Sequence, residues 1–435
     1  MNWEEYVKKH TLSAEAAIGK IQSGNRVVLA HSAAEPPVLV AEMVKQAHRL
    51  LNVEVQHMVE LSGAPYAQPQ YEKNFRFNGI YASGGTRKAL AAGRADFTPL
   101  FFHQLPHLYR RPDYPIDVAL VTLSPPDATG RFSLGVAVDY TRQAALSAKT
   151  TIGVVNSNSP YIGGDALLSH TDIDVFVYDD TPLYPLPKPK VGEAEAGIGQ
   201  ILADFINDGD CLQLDIGALP DAVLAALFDK KDLGIHSEMF SDGVMRLHQA
   251  GVINGARKTL HPGKMVYSFA MGSPEFYQWM DKNPDIEGYP IDYVNDPRVV
   301  GRNDNLVSIN SALSIDLLGQ VAADSMGANG QFSGIGGQLD FVRGARFSQG
   351  GRTIIALPAT AAGGKISRIT SMLSHGQPVT TTRHDVDWVC TEYGLVSLYG
   401  KTNAQRAQAL ISLAAPQFRE DLLRQARDVY GWRVS

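Results

Sequence analysis

Cysteine is scarce in this sequence. Its two thiols, Cys211 and Cys390, lie far apart among 435 residues and show no CxxC spacing. That argues against a disulfide framework and against a cysteine-based zinc site. Long apolar runs are lacking too, since no stretch approaches the roughly 20 residues a membrane-spanning helix needs. The opening MNWEEYVKKH carries acidic residues and no apolar segment of the kind found in a secretory leader, so the expected location is cytoplasmic. No excess of basic charge exists: 39 Lys+Arg face 45 Asp+Glu, a net charge of -6. This balance argues against broad electrostatic binding of nucleic acid, and neither nucleic acid nor membrane is an expected partner.

What is present is ordinary globular material, 44% hydrophobic and 19% charged. At about 150 residues per domain the length suggests two or three domains. Glycine is the one mild excess, 40 residues or about 9% against a typical 7%, gathered in short clusters beside apolar runs. Glycine lets backbone approach a neighbour closely.

Strand-like and helix-like stretches alternate along the chain, the signature of α/β layering around a largely parallel sheet. In the first half, 25–30 (NRVVLA), 53–59, 116–123 (IDVALVTL), 151–155 and 173–178 read as strands, and 36–50 and 86–94 as helices. SPPDATGRFSLG has hairpin or loop chemistry. Residues 179–193 (DDTPLYPLPKPKVGE) hold four prolines and no period, and read as a linker. Beyond it, 194–207 and 220–228 read as helices, and 212–216, 265–271, 306–315 and 353–357 as strands. A long helix over 402–429 is expected to break near Pro416.

Several catalytic signatures fail. The run from Gly334 to Leu339 (GIGGQL) lacks the last glycine of the dinucleotide fingerprint and has no acidic ribose partner. Gly400-Lys401-Thr402 resembles the end of a P-loop, but Leu395 stands where its first glycine belongs. There is no GxSxG elbow. His103 and His107 are four residues apart, yet Pro106 lies between them and the HExxH glutamate is missing, so no metal site is expected.

Three segments carry positive signals. In QLDIGALP, Gln213 to Pro220, a strand runs through a glycine turn into a helix start; free N–H groups at such a turn can bind an anion, although a plain βα turn has the same pattern. In IHSEMFSDG, Glu238 sits among apolar residues, and a carboxylate in a partly dry setting is a stronger nucleophile or base. A buried glutamate paired for structure fits equally well, and in an extended segment His236 would share its face. In SGIGGQLDF, three glycines in four residues allow a close backbone approach or make a tight turn.

Together, QLDIGALPDAV, GIHSEMFSDGV, TLHPGK, YVNDP, SINSALSIDLLGQV, SGIGGQLDF and VCTEYGL resemble, in order and wording, the acetyl-CoA hydrolase/transferase family of class I CoA-transferases. The nearest branch is that of the 4-hydroxybutyrate and butyrate:acetyl-CoA CoA-transferases. SPPDATGRFSLG fits as well, and the likeness covers nearly the whole chain, most densely over 200–400. The resemblance implies two open-sheet α/β domains of related topology, 1–185 and 186–435, with the active site at their interface. It also implies acyl-CoA and a short-chain carboxylate as substrates, no metal, and a homodimer or homotetramer.

Carried over position by position, the resemblance places the catalytic glutamate at Glu238. The CoA-contacting turn falls on Gln213, Leu214, Asp215, Ile216 and Gly217, and the glycine loop on Gly334, Gly336 and Gly337. Amides of Ile216 or Gly217 and of the glycine loop would form the oxyanion hole. Asn295 and Glu392 match positions near the reacting carboxylate, and Asn310 and Lys365 match CoA contacts. The family's turn usually reads Gln-Leu-Gly-Ile-Gly; here Asp215 replaces the first glycine and brings a negative charge towards a negatively charged cofactor. The implied chemistry is ping-pong transfer through a glutamyl-CoA thioester. The rivals are an acyl-CoA hydrolase on the same scaffold, an acyl-exchanging lyase subunit, and a CoA-binding protein without chemistry.

Overall fold

A computed structural model of the chain describes residues 2–327 and 330–434. The chain divides into two compact units. One gathers the residues up to Pro187 with Met239–Asp242 and Val266–Val294; the other holds Lys188–Glu238, Gly243–Met265 and the residues from Asn295 onward.

The first unit is built on seven strands: β1 (Arg26–Leu29), β2 (Val53–Gln56), β3 (Phe75–Gly79), β4 (Asp96–Phe97), β5 (Ile116–Leu123), β6 (Ala148–Val155) and β7 (Val175–Tyr178). Their spatial order is β7-β6-β5-β1-β2-β3-β4, and every pair is parallel. Side chains of a strand alternate between faces. Val27 and Leu29, Val53 and Val55, Val118 and Leu120, Ile152 and Val154, and Val175 and Val177 therefore enter a single core, closed by Leu39, Val40 and Met43 of α1 (Pro37–Lys45). Only Asp117 of β5 is not buried, the pattern of a strand covered on both faces.

Segments from later in the chain complete this unit. Met239–Phe240 pairs in parallel with Phe269–Ala270, and Glu287–Gly288 pairs with Gly163–Gly164. The expected strand over 265–271 is broken at Ser268, whose carbonyl accepts the N–H groups of Val138 and Asp139.

The second unit carries six strands: β8 (Cys211–Leu214), β9 (Gly234–Ile235), β10 (Leu306–Ser311), β11 (Arg352–Ala356), β12 (Trp388–Thr391) and β13 (Gly394–Ser397). The order is β9-β8-β10-β11-β12-β13, parallel except for the closing β12–β13 hairpin. Its helices include α2 (Glu193–Phe205), α3 (Ala218–Ala225), α4 (Gln338–Phe347), α5 (Asn403–Leu413) and α6 (Pro416–Tyr430). The last two are the long expected helix, broken at Pro416 as expected, because Pro416 offers no N–H to continue α5. The glycine-lysine-threonine run ends in a helix cap: the Thr402 side chain accepts the N–H of Gln405. Strand β10 stops at Ser311, short of the expected 315, and Ser314–Asp316 turns away to pair with Val321–Ala322 and Ile369–Thr370.

After β8 the chain lays β9 on one side and later β10 on the other. Open parallel sheets bind ligands beyond the carboxyl ends of the strands at such a reversal. Here that end is Leu214, just before Asp215, Ile216 and Gly217.

Gly199 lies in mid-α2 and faces α3. A methyl group added there would stand 2.7 Å from the Ala222 carbonyl oxygen and 2.8 Å from its carbon. In an exposed helix alanine beats glycine by about 1 kcal/mol. Contact with rigid backbone reverses that sign, so Gly199→Ala is expected to destabilise the chain by about 1–3 kcal/mol, read as a lower urea midpoint.

Candidate active site

Glu238 follows β9 closely, and three anchors fix its approach. The His236 N–H donates to Leu212 O at 3.1 Å, extending the β8–β9 ladder by one residue. The Ser237 hydroxyl donates to Leu214 O at 2.9 Å and accepts from the Leu214 N–H at 3.4 Å. The buried Lys258 ammonium donates to Ile235 O at 2.8 Å and Lys264 O at 2.7 Å. Ser237 thus joins the residue before Glu238 to the residue before the Asp215 turn. Met239 and Phe240 beyond it are buried and Glu238 is half-buried.

The carboxylate itself is oriented. Asn295, fully buried, donates its Nδ2–H to Glu238 Oε2 at 2.5 Å. The next residue, Asp296, caps a short helix by accepting the Arg298 N–H at 2.8 Å, which fixes the backbone that carries Asn295. Against the same oxygen lies Gly337, where a methyl group would overlap both Glu238 Oε2 and Asn295 Nδ2. Gly336, in the left-handed region at φ +52, stands beside the other oxygen, its Cβ direction 3.6 Å from Oε1. Gly337 is the N-cap of α4 and has no side-chain cap to offer. The start of that helix therefore lies against a carboxylate, and the helix dipole favours negative charge there.

The turn after β8 has a different geometry. Gly217 adopts φ +122 and ψ −176, and no atom of the described residues lies within 4 Å of where its Cβ would be. Its glycine is needed for the backbone, not for room. The Ile216 N–H, an expected oxyanion donor, is instead held by the Asp215 carboxylate at 2.9 Å.

The other expected site residues have the following surroundings. Gln213 Oε1 accepts from the Ser308 hydroxyl at 2.7 Å and from Asn310 Nδ2 at 3.2 Å, a buried network set by the register of Gln213 against Ser308. Gly334 is buried, and its carbonyl accepts the Ser333 hydroxyl at 3.2 Å. His236 is fully buried with its ring edge-on to Phe341 of α4, the environment of a core histidine. The Glu392 carboxylate accepts the Ala359 N–H at 2.8 Å. Lys365 is exposed, in the turn between Thr360–Ala361 and Ile366–Ser367.

The sequence reading missed Ser237, Ser308, Lys258 and Gln338, whose amide donates to Ser311 O at 2.8 Å and ties the start of α4 to the end of β10. A signal for α4 did exist: Leu339, Val342 and Ala345 recur at helical spacing and all are buried. The chain's own thiols are held protonated. Burial pushes Cys211 up to about 11 and Cys390 up to about 12, so both stay protonated at neutral pH.

Known proteins share this architecture. The acetyl-CoA hydrolase/transferase N-terminal domain matches residues 1–186, and the C-terminal domain of the same family matches 272–426. The 4-hydroxybutyrate coenzyme A transferase of Clostridium kluyveri is 50% identical over 97% of this chain and 98% of its own length. The succinyl-CoA:cyclohexane-1-carboxylate CoA transferase of Geobacter metallireducens is 40% identical over 98% of this chain and 96% of its own. The crystal structure of 4-hydroxybutyrate CoA-transferase from Porphyromonas gingivalis superposes with a TM-score of 0.85 at 40% identity, covering 98% of this chain and 99% of that one. With both domain models matched in order and full-length relatives at this identity, the chain belongs to the acetyl-CoA hydrolase/transferase family.

Proposed function

We propose that this enzyme is a CoA-transferase that moves CoA between an acyl-CoA and a free short-chain carboxylate, with Glu238 as the covalent nucleophile. The observation that carries the reading is the held carboxylate: Asn295 grips Oε2 at 2.5 Å while Gly337 leaves room for that contact. A solvated carboxylate attacks thioesters poorly. Half-burial strips some of that water, and a fixed orientation supplies the geometric advantage of an intramolecular reaction.

With Oε2 anchored, Oε1 is the attacking oxygen. It adds to the thioester carbonyl, the carbon–sulfur bond breaks, and the CoA thiolate leaves an acyl-glutamyl anhydride. The thiolate then adds to the Glu238 carboxyl carbon. Negative charge collects on Oε2, where Asn295 Nδ2 already donates. Collapse breaks the bond to Oε1, which departs in the first free acid, and the glutamyl-CoA thioester remains. The acceptor carboxylate repeats both steps in reverse order, giving the new acyl-CoA and restoring Glu238. For the oxyanion on the acyl carbon, amide donors at the start of α4 and in the Gly217 turn are each worth roughly 10²–10³ in rate. Water would divert either intermediate to hydrolysis, so exclusion of water separates a transferase from a hydrolase here.

The relatives named for 4-hydroxybutyrate put that acid first in a test panel, with butyrate, the same chain without the hydroxyl, beside it. Purified chain is incubated with acetyl-CoA and each carboxylate, and the acyl-CoA products are separated chromatographically. New acyl-CoA should form with short straight-chain acids, with little free CoA when no acid is added. CoA release that ignores the added carboxylate would establish a hydrolase instead.

A further inference from the structure

Asp215 has no part in that mechanism, yet it occupies the turn on which it depends. Its exposed side chain accepts the Ile216 N–H at 2.9 Å. In the rest of the turn Gly217 stands at φ +122, no atom of the described residues lies within 4 Å of where its Cβ would be, and α3 begins without a side-chain cap. Ser237 is hydrogen-bonded to Leu214, the last strand residue before this turn, and immediately precedes Glu238, so the turn that carries the occupied amide is tied to the segment that carries the nucleophile.

We infer that Asp215 is a built-in brake on acyl transfer, its carboxylate holding the Ile216 amide until a bound acyl-CoA displaces it. The inference rests on the CoA-transferase reading of Glu238. An amide has one hydrogen. While Asp215 accepts it, an oxyanion forming on the thioester carbon cannot. Displacing the carboxylate costs one charge-assisted hydrogen bond and leaves a negative charge one residue from the developing oxyanion, screened in part by solvent. A residue with no acceptor at 215 would present the amide ready for use.

The test compares the full-length chain with Asp215→Ala, which removes the acceptor, and Asp215→Asn, which removes the charge but keeps an acceptor oxygen. Each is mixed with acetyl-CoA alone, quenched at intervals, and digested, and CoA attached to the Glu238 peptide is followed by mass spectrometry. Asp215→Ala should acquire CoA roughly tenfold faster, with Asp215→Asn between it and the unaltered chain. A rate in Asp215→Ala equal to or below that of the unaltered chain overturns the brake and leaves the Glu238 reading standing. No CoA on the Glu238 peptide of the unaltered chain overturns that reading, and the brake with it.

Discussion

Replacing Glu238 by alanine is expected to cut CoA exchange by roughly 10⁴-fold or more, the scale seen when a covalent nucleophile is removed from a unit of cooperating groups. Folding should be affected far less. Glu238 sits half-buried on a short connection after β9, and its loss leaves Asn295 Nδ2 without that acceptor, a cost of about 1–3 kcal/mol. Two further variants separate chemistry from shape. Glu238→Gln preserves size and can turn its oxygen towards Asn295, but its amide is no nucleophile, so it should be as inactive as the alanine variant and more stable. Glu238→Asp retains the carboxylate and withdraws it by about one carbon–carbon bond from Asn295. A misplacement of that size costs roughly 10²-fold. Initial rates of acyl exchange, with thermal melting of each variant, check the series. Near-native turnover in Glu238→Ala would sink the covalent assignment, whatever its stability.

The sequence made some of this arrangement legible and hid the rest for physical reasons. Short apolar runs marked β1, β2, β5, β6 and β7 in the first unit and β8, β10 and β11 in the second, though not β3, β4, β9, β12 or β13, and IDVALVTL coincides with β5 residue for residue. Local signals also located the turn after β8. They could not set the register of β8 against β10, which points Gln213 and Asn310 at each other and at Ser308. Polar residues that read as ligand contacts thus satisfy one another. Nor could local pattern bring Asn295 to Glu238, since the two lie 57 residues apart in the chain. The glycines show the limit best. Gly217, Gly336 and Gly337 look alike in sequence. Gly217 is required by a φ of +122 and Gly336 by a φ of +52, whereas Gly337 has an ordinary φ of −92 and is required by what stands beside it.

That distinction yields the second large effect, in Gly337→Ala. Backbone rules alone call this change mild, because φ −92 and ψ 5 are open to alanine. They call Gly336→Ala the worse one, since an L-residue held at a left-handed φ costs roughly 1–2 kcal/mol. The carboxylate inverts this order for activity. A methyl group on Gly337 overlaps Glu238 Oε2 and Asn295 Nδ2 together, and neither partner yields freely: Ser237 holds the approach to Glu238, and Asn295 is fully buried beside a capped helix start. A methyl group on Gly336 stands 3.6 Å from Oε1, an ordinary van der Waals distance. Gly337→Ala should therefore lose roughly 10²–10³-fold in kcat through misplacement of the nucleophile, with a stability loss of about 1–3 kcal/mol from overpacking. Gly336→Ala should lose a comparable amount of stability and much less kcat. Saturating exchange rates and urea midpoints for the two variants decide the matter. If Gly336→Ala proved the more damaging to turnover, the reacting carboxylate could not lie where Asn295 and Gly337 hold it.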